Sequence, residues 1–198
     1  MGYFIRVLSQ TDQNVALSEI RREITGGSVE PADVVDDDWS SFTIRDATGR
    51  WIAEVTRDIV TAGSPAEEEL AELRESLEEQ EPKSGSDWAR AYLTSVKTIY
   101  ALQINTSVID SDGWRYVQSA KDAIRTRAGG LIQADNEGFS NAEGEHITWD
   151  FPNSVSGAWW MAVRQDDAWI TFQMELGNPE HRAAFKAGRV PAGVTPSK

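Results

Sequence analysis

GLIQADNEGFSNAEGEHITWDFPNSVSGAWWMAVRQDDAWITFQMELG, residues 130–177, holds four of the chain's eight tryptophans and its cleanest two-residue alternation. Over 146–151 the polar His146, Thr148 and Asp150 alternate with Ile147, Trp149 and Phe151, the period of a strand with one dry face. Pro152, Asn153 and Gly157 then break regular structure. Residues 158–164 predict a second strand, with Trp159, Met161 and Val163 opposite Trp160 and Ala162. Gln165, Asp166 and Asp167 make a connection of hairpin length. Ala168, Ile170, Phe172, Met174 and Leu176 share one face of a third strand. The expectation is a C-terminal β-meander over about 146–176, mainly antiparallel and covered by helices, within an α+β fold.

Upstream, 131–134 predicts a short strand leading into DNEGFSNAEGE. The residues before it, with Trp114, Val117, Lys121 and Ile124 at helical spacing, predict a helix that ends at Gly129-Gly130. Residues 97–105 alternate and are rich in β-branched and aromatic types, which favours a strand. Further back, a strand over 3–8, a helix over 15–24 and two strands over 41–46 and 51–56 joined at Ala47-Thr48-Gly49 are followed by Ser64-Pro65-Ala66-Glu67. That last run is a capping box with proline in the first turn. The first 80 residues thus predict a β-α-β-β-α unit. A single domain is expected over 1–198, with QEPKSGS (80–86) as the place where it would divide from a sheet-rich half over 87–190. Asn178-Pro179 predicts one more helix, and 190–198 a loose tail.

Composition narrows the function classes. Forty per cent apolar residues suffice for a core, and the absence of cysteine removes disulfides, thiol nucleophiles and Cys-ligated metals. No apolar run approaches the roughly 20 residues of a membrane span, and MGYFIRVLSQ lacks a signal-peptide pattern, so the expected location is the cytoplasm. The formal net charge is −13, with −7 over 58–96 alone. Such a balance argues against nucleic acid and anionic membranes, which both require a basic face.

No stretch carries a reaction signature. The chain lacks G-x-S-x-G, G-x-G-x-x-G and a Walker lysine loop. Within DNEGFSNAEGE an EF-hand register fails, because Phe139 and Ser140 fall where a ligand and the turn glycine belong. If the flanking strands pair, however, Asp135, Glu137, His146 and Asp150 fall close together, a grouping suited to general acid/base or metal chemistry. His181 is read as an exposed first-turn residue. Adjacent Trp159 and Trp160 must point to opposite faces, so one of them is expected to leave the core.

The leading expectation is a binding protein with no cofactor and no metal. It would neutralise a basic protein partner, as an immunity protein does a bacterial toxin or an inhibitor does an enzyme. Its footprint is placed on Asp36, Asp37, Asp38 and Trp39 and on Glu68, Glu72, Glu75 and Glu79 of the capped helix. An enzyme using Asp135, Glu137, His146 and Asp150 is the alternative, and a self-associating structural or accessory subunit is a third.

Overall fold

In the computed structural model, which describes residues 2–33, 38–109 and 111–197, the alternation read near the N-terminus and over 98–104 becomes strand pairing. In chain order the elements begin with β1 (Tyr3–Ser9), α1 (Leu17–Glu23), β2 (Ser28–Pro31), β3 (Ser41–Arg45), β4 (Trp51–Ile59), α2 (Pro65–Ser76) and α3 (Lys83–Leu93). They continue with β5 (Thr98–Ile104), a short 3-10 turn (Thr106–Val108), α4 (Trp114–Ala128), β6 (Leu131–Ala134) and β7 (Gly138–Ser140). The last three are β8 (Ala158–Gln165), β9 (Ala168–Glu175) and α5 (Pro179–Lys186). The class is α+β. The chain forms two compact units, Met1–Glu67 with Val96–Gly130 and Glu68–Ser95 with Leu131–Lys198.

In the first unit the strands run antiparallel in the order β2-β3-β4-β5-β1. The central β5 pairs along its whole length with both neighbours, Thr98 to Ile104 against Ser9 to Tyr3 on one side and Ile59 to Ala53 on the other. That register lines up Phe42, Val55, Leu102 and Ile5 in one row, all buried. Helix α4 packs on β1, β4 and β5, and α1 packs on α4. Their buried residues Tyr116, Val117, Ala120 and Ile124, and Leu17 and Ile20, close the core. The β3–β4 loop is tied by Asp46, whose carboxylate accepts from Thr48 N and Oγ1 at 2.9 and 2.6 Å. The Thr48 hydroxyl is the main reason that this carboxyl is held down to about 2. Strand β2 was not foreseen: Val29 is buried opposite Ile44.

In the second unit β6–β7 and β8–β9 are hairpins. The latter turns at Asp166-Asp167, with φ of 47° and 65°, the mirror-image turn that matches strand twist. Trp149, Phe151, Met161, Val163, Phe172, Met174, Leu176 and Phe185 form its core. Helix α5 starts as its sequence predicts, with Asn178 Oδ1 accepting from Glu180 N at 2.9 Å. Its Arg182 guanidinium donates to the carbonyls of Leu176, Asn153 and Val155, locking the helix onto the preceding loop.

Four expectations need correction. The meander is a hairpin, because residues 146–151 run extended with bridges to several partners instead of a ladder with one. His146 bridges Ser140 and Met161, and Trp149 bridges Glu81. The division does not fall at 80–86. Lys83 to Ser86 are the first turn of α3, and Gly85 is buried so close to Ile147 that a Cβ would lie 2.0 Å from its carbonyl oxygen. The tail is held through residue 197: Val190 and Val194 pack on the core, and Ser197 N donates to Thr171 O at 2.7 Å.

The fourth correction is Trp39. It is 2 % exposed, stacked edge-on to Phe42 at 4.7 Å, with its indole N–H donated to Val15 O at 2.8 Å. It belongs to the first unit's core and not to a partner's footprint. Trp39→Ala is therefore expected to destabilise the protein by about 3–5 kcal/mol, the cost of emptying a large aromatic site. Urea unfolding measures this, and a loss below about 1 kcal/mol would return Trp39 to the surface.

Candidate functional site

Chemistry-bearing side chains of the second unit gather where residue 146 joins its two hairpins. The β6–β7 turn is Asp135-Asn136-Glu137, with Asn136 at φ 60°. Gly138 follows at φ 92°, where a Cβ would meet Thr148 Oγ1 at 2.6 Å. The turn thus sits directly on the segment that carries Thr148 and Asp150. Thr148 Oγ1 accepts from Phe139 N at 2.8 Å, and Phe139 O accepts from Ile147 N at 2.8 Å. On its other side, His146 N donates to Trp160 O at 3.0 Å and His146 O accepts from Ala162 N at 2.9 Å.

These backbone bonds fix the imidazole. Its Nδ1 is 3.2 Å from Ser140 Oγ, and its Nε2 is 3.9 Å from Glu137 Oε2. Phe151 and Trp159 meet the ring edge-on at 4.9 and 5.2 Å. The fold therefore does bring Glu137 to His146, as the sequence suggests. It also brings Asp135 within electrostatic reach of Asp150, whose carboxyl is pushed up first by burial and then by the Asp135 charge. Ser140 was missed, because its place opposite His146 follows only once β7 forms a strand inside a loop-like sequence.

The serine, imidazole and carboxylate lie in sequence, as in a nucleophile, base and orienting acid. Their environment differs from such a site. Ser140 and His146 are 5 % and 7 % exposed, and the histidine–glutamate separation exceeds hydrogen-bond length. Among the described residues, no three His, Asp or Glu side chains group in a way that could hold a metal ion. The arrangement works as a polar clasp within an aromatic wall.

The acidic footprint resolves differently. Asp36 and Asp37 lie outside the described residues. Asp38 is exposed, with its carboxylate 2.5 Å from Arg57 Nη1. On α2 and the turn after it, Glu68, Glu72, Glu75 and Glu79 are all exposed, and spacings of four and three residues place the three helical ones on one face. The opposite face buries Ala66, Leu70 and Leu77. Ser64 Oγ accepts from Glu67 N at 3.2 Å, while the Glu67 carboxylate reaches back to Gly63 N at 2.7 Å. This is the predicted cap with its return bond shifted by one residue. Among the described residues, none of the four stripe carboxylates is paired with a basic side chain. Beside the stripe, Arg90 is occupied by Glu78 at 3.1 Å.

Two outcomes are expected. His146→Ala should cost about 2–4 kcal/mol in urea unfolding, since it empties an aromatic site and strands Ser140. A change within about 0.5 kcal/mol would remove the clasp from the account of stability. For Asp150, burial and Asp135 raise the folded carboxyl above its unfolded value, so the folded state favours the proton. Stability from this group is full below the unfolded value and is lost as pH rises through the folded one. Asp150→Asn should therefore stabilise the protein at pH 7 and lose that advantage below about pH 4.

No protein-family model, curated protein or solved structure matches this chain.

Proposed function

We propose that this chain is a binding protein that engages a basic protein partner through the carboxylate stripe of α2. What supports this is the exposed set Glu68, Glu72, Glu75 and Glu79, which has no internal cation among the described residues. A helix carrying three unneutralised carboxylates on one face, with a fourth just beyond its end, repels itself at some cost in stability. A basic partner relieves that repulsion and is steered toward the face before contact. The surrounding segment, 58–96, carries −7 of the chain's formal −13, so the field is local and directional.

In the finer form of this reading, the chain is a cytoplasmic neutralising protein, such as an immunity protein against a bacterial toxin or an inhibitor of an enzyme with a basic active site. Such a protein acts by covering its target and requires no reacting groups of its own. Asp38 lies in the other unit and is already engaged by Arg57, so the stripe alone carries the proposal.

The test is capture from the native host at low and moderate salt, followed by kinetics with the purified partner. The comparison protein carries Glu68→Gln, Glu72→Gln, Glu75→Gln and Glu79→Gln together. The expected result is a basic partner whose association slows by about tenfold or more in the variant and with added salt, while dissociation changes less. Failure to retain any basic protein, or equal rates for the two proteins, would overturn the reading. Each of these exposed substitutions should alter stability by less than about 0.5 kcal/mol, so misfolding does not confuse the outcome.

A further inference from the structure

The outer face of the β8–β9 hairpin carries a second feature, made of aromatic rings and carboxylates. The register pairs Trp160 with Gln173, Ala162 with Thr171 and Arg164 with Trp169. Small residues thus occupy the middle of this face, with an indole toward each end. Trp160 is 48 % exposed, the most exposed of the large apolar side chains. Trp169 is steadied by a T-shaped contact with Trp88, the ring centroids 5.2 Å apart. Together with Glu143, Glu145, Thr171 and Ser197 the two tryptophans line a pocket of about 460 Å³.

Its polar wall is fixed in advance. The buried Asn141 side chain accepts three backbone N–H groups, from Glu143, Gly144 and Glu145, at 3.1, 3.0 and 2.9 Å. The turn that presents the two glutamates is thereby held rigid. One of them is incomplete: Glu145 Oε2 is buried and has no hydrogen-bond partner. A buried carboxylate oxygen without a donor carries an unrecovered desolvation cost. Among the described residues of β8 and β9, the one basic side chain, Arg164, is held by Asp167 at 2.8 Å.

The geometry points to a binding site for a single cationic side chain, the ammonium of a lysine or the guanidinium of an arginine, presented by the basic partner. Indole faces attract cations through their quadrupole. Glu145 supplies one negative charge in the pocket wall, and Glu143 adds a second at the rim. An anion would meet two carboxylates here, and a purely apolar group would leave their charges unmatched. This inference rests on the reading of the chain as a binder of a basic protein, and it names where that protein's anchoring residue sits.

The experiment titrates the full chain with N-acetylarginine amide, N-acetyllysine amide and the neutral N-acetylglutamine amide, following the tryptophan indole N–H resonances by NMR. The expected result is a saturable shift of the Trp160 and Trp169 signals with the cationic amides and none with the neutral one. The stronger of the two cationic responses identifies the head group. Glu145→Gln, which keeps the side chain's size, should weaken the response about tenfold, as should Trp160→Ala. The four-residue α2 variant should respond like the wild type. No saturable shift with either cation, an equal shift with the neutral amide, or undiminished binding in Glu145→Gln would overturn the site. Partner capture separates the two readings. If Glu145→Gln and Trp160→Ala hold the partner as tightly as the wild type does, the pocket fails and the α2 reading stands. If the amides bind but no basic protein is engaged, the pocket stands as a cation site and the binder reading fails.

Discussion

The second unit depends on two hydrogen bonds to the backbone of one residue, His146. Its N–H reaches Trp160 O and its carbonyl receives Ala162 N–H. Without them β8–β9 is a two-stranded ribbon with no partner segment beside it, and such ribbons are marginal in water. With them, the segment that follows is led past Phe139 and on to Glu81, which carries Trp149 and Phe151 into contact with Phe185 and the β8–β9 core. The Asn141-capped turn is placed by the same junction, since it ends at Glu145, one residue earlier. The side-chain contact between Ser140 and His146 adds to what the backbone has joined.

The features that could be read in the sequence are those set by local physics. Caps at Ser64 and Asn178, the turn at Asp166-Asp167 and the alternation of 158–165 and 168–175 each involve residues within a few positions of one another. The alternation of Ile147, Trp149 and Phe151 was equally visible and led to an error. A period of two reports which side chains are buried, and an extended segment shows it whether its N–H groups meet one partner or three. In EPKSGS the proline, glycine and serines suggest a linker, but Gly85 is there because Ile147, far along the chain, comes too close for any side chain. Trp39 stands beside an acidic run and looked like a surface aromatic; its partners Val15, Phe42 and Tyr100 are assembled only by the sheet. The candidate cluster was half legible for the same reason. Neighbouring strands predicted that His146 would meet Glu137, whereas Ser140 needed a strand that three residues cannot announce.

The chain's acidity divides into two kinds of carboxylate. Some are internal connectors. Asp46 closes the β3–β4 loop, and Glu175 accepts from Gly157 N and Gly177 N at 2.6 and 2.9 Å. The bonds from Gly177 and Gly157, in that order of weight, hold the Glu175 carboxyl below the usual range. Others, Glu68, Glu72 and Glu75 on α2 and Glu79 after it, are paired with no basic side chain among the described residues. Net charge alone cannot separate these populations. The first kind explains how a chain so acidic still folds, and the second is the part of the charge left over for another molecule.

The chain leaves the first unit after residue 67, re-enters it at 96 and departs for good after 130. Neither unit is therefore a continuous length of polypeptide. As the chain emerges during synthesis, β1 and β4 appear with bare edges and must wait for β5, the strand that lies between them, which follows only after α2 and α3 have been made. Closing that long loop takes entropy before any pairing returns it. Loss of β5 leaves the facing edges of β1 and β4 exposed, the kind of template on which unrelated chains aggregate. Dissection into halves is thus the wrong way to take this molecule apart, since its two units are interleaved along the chain and each is unfinished until the other has begun.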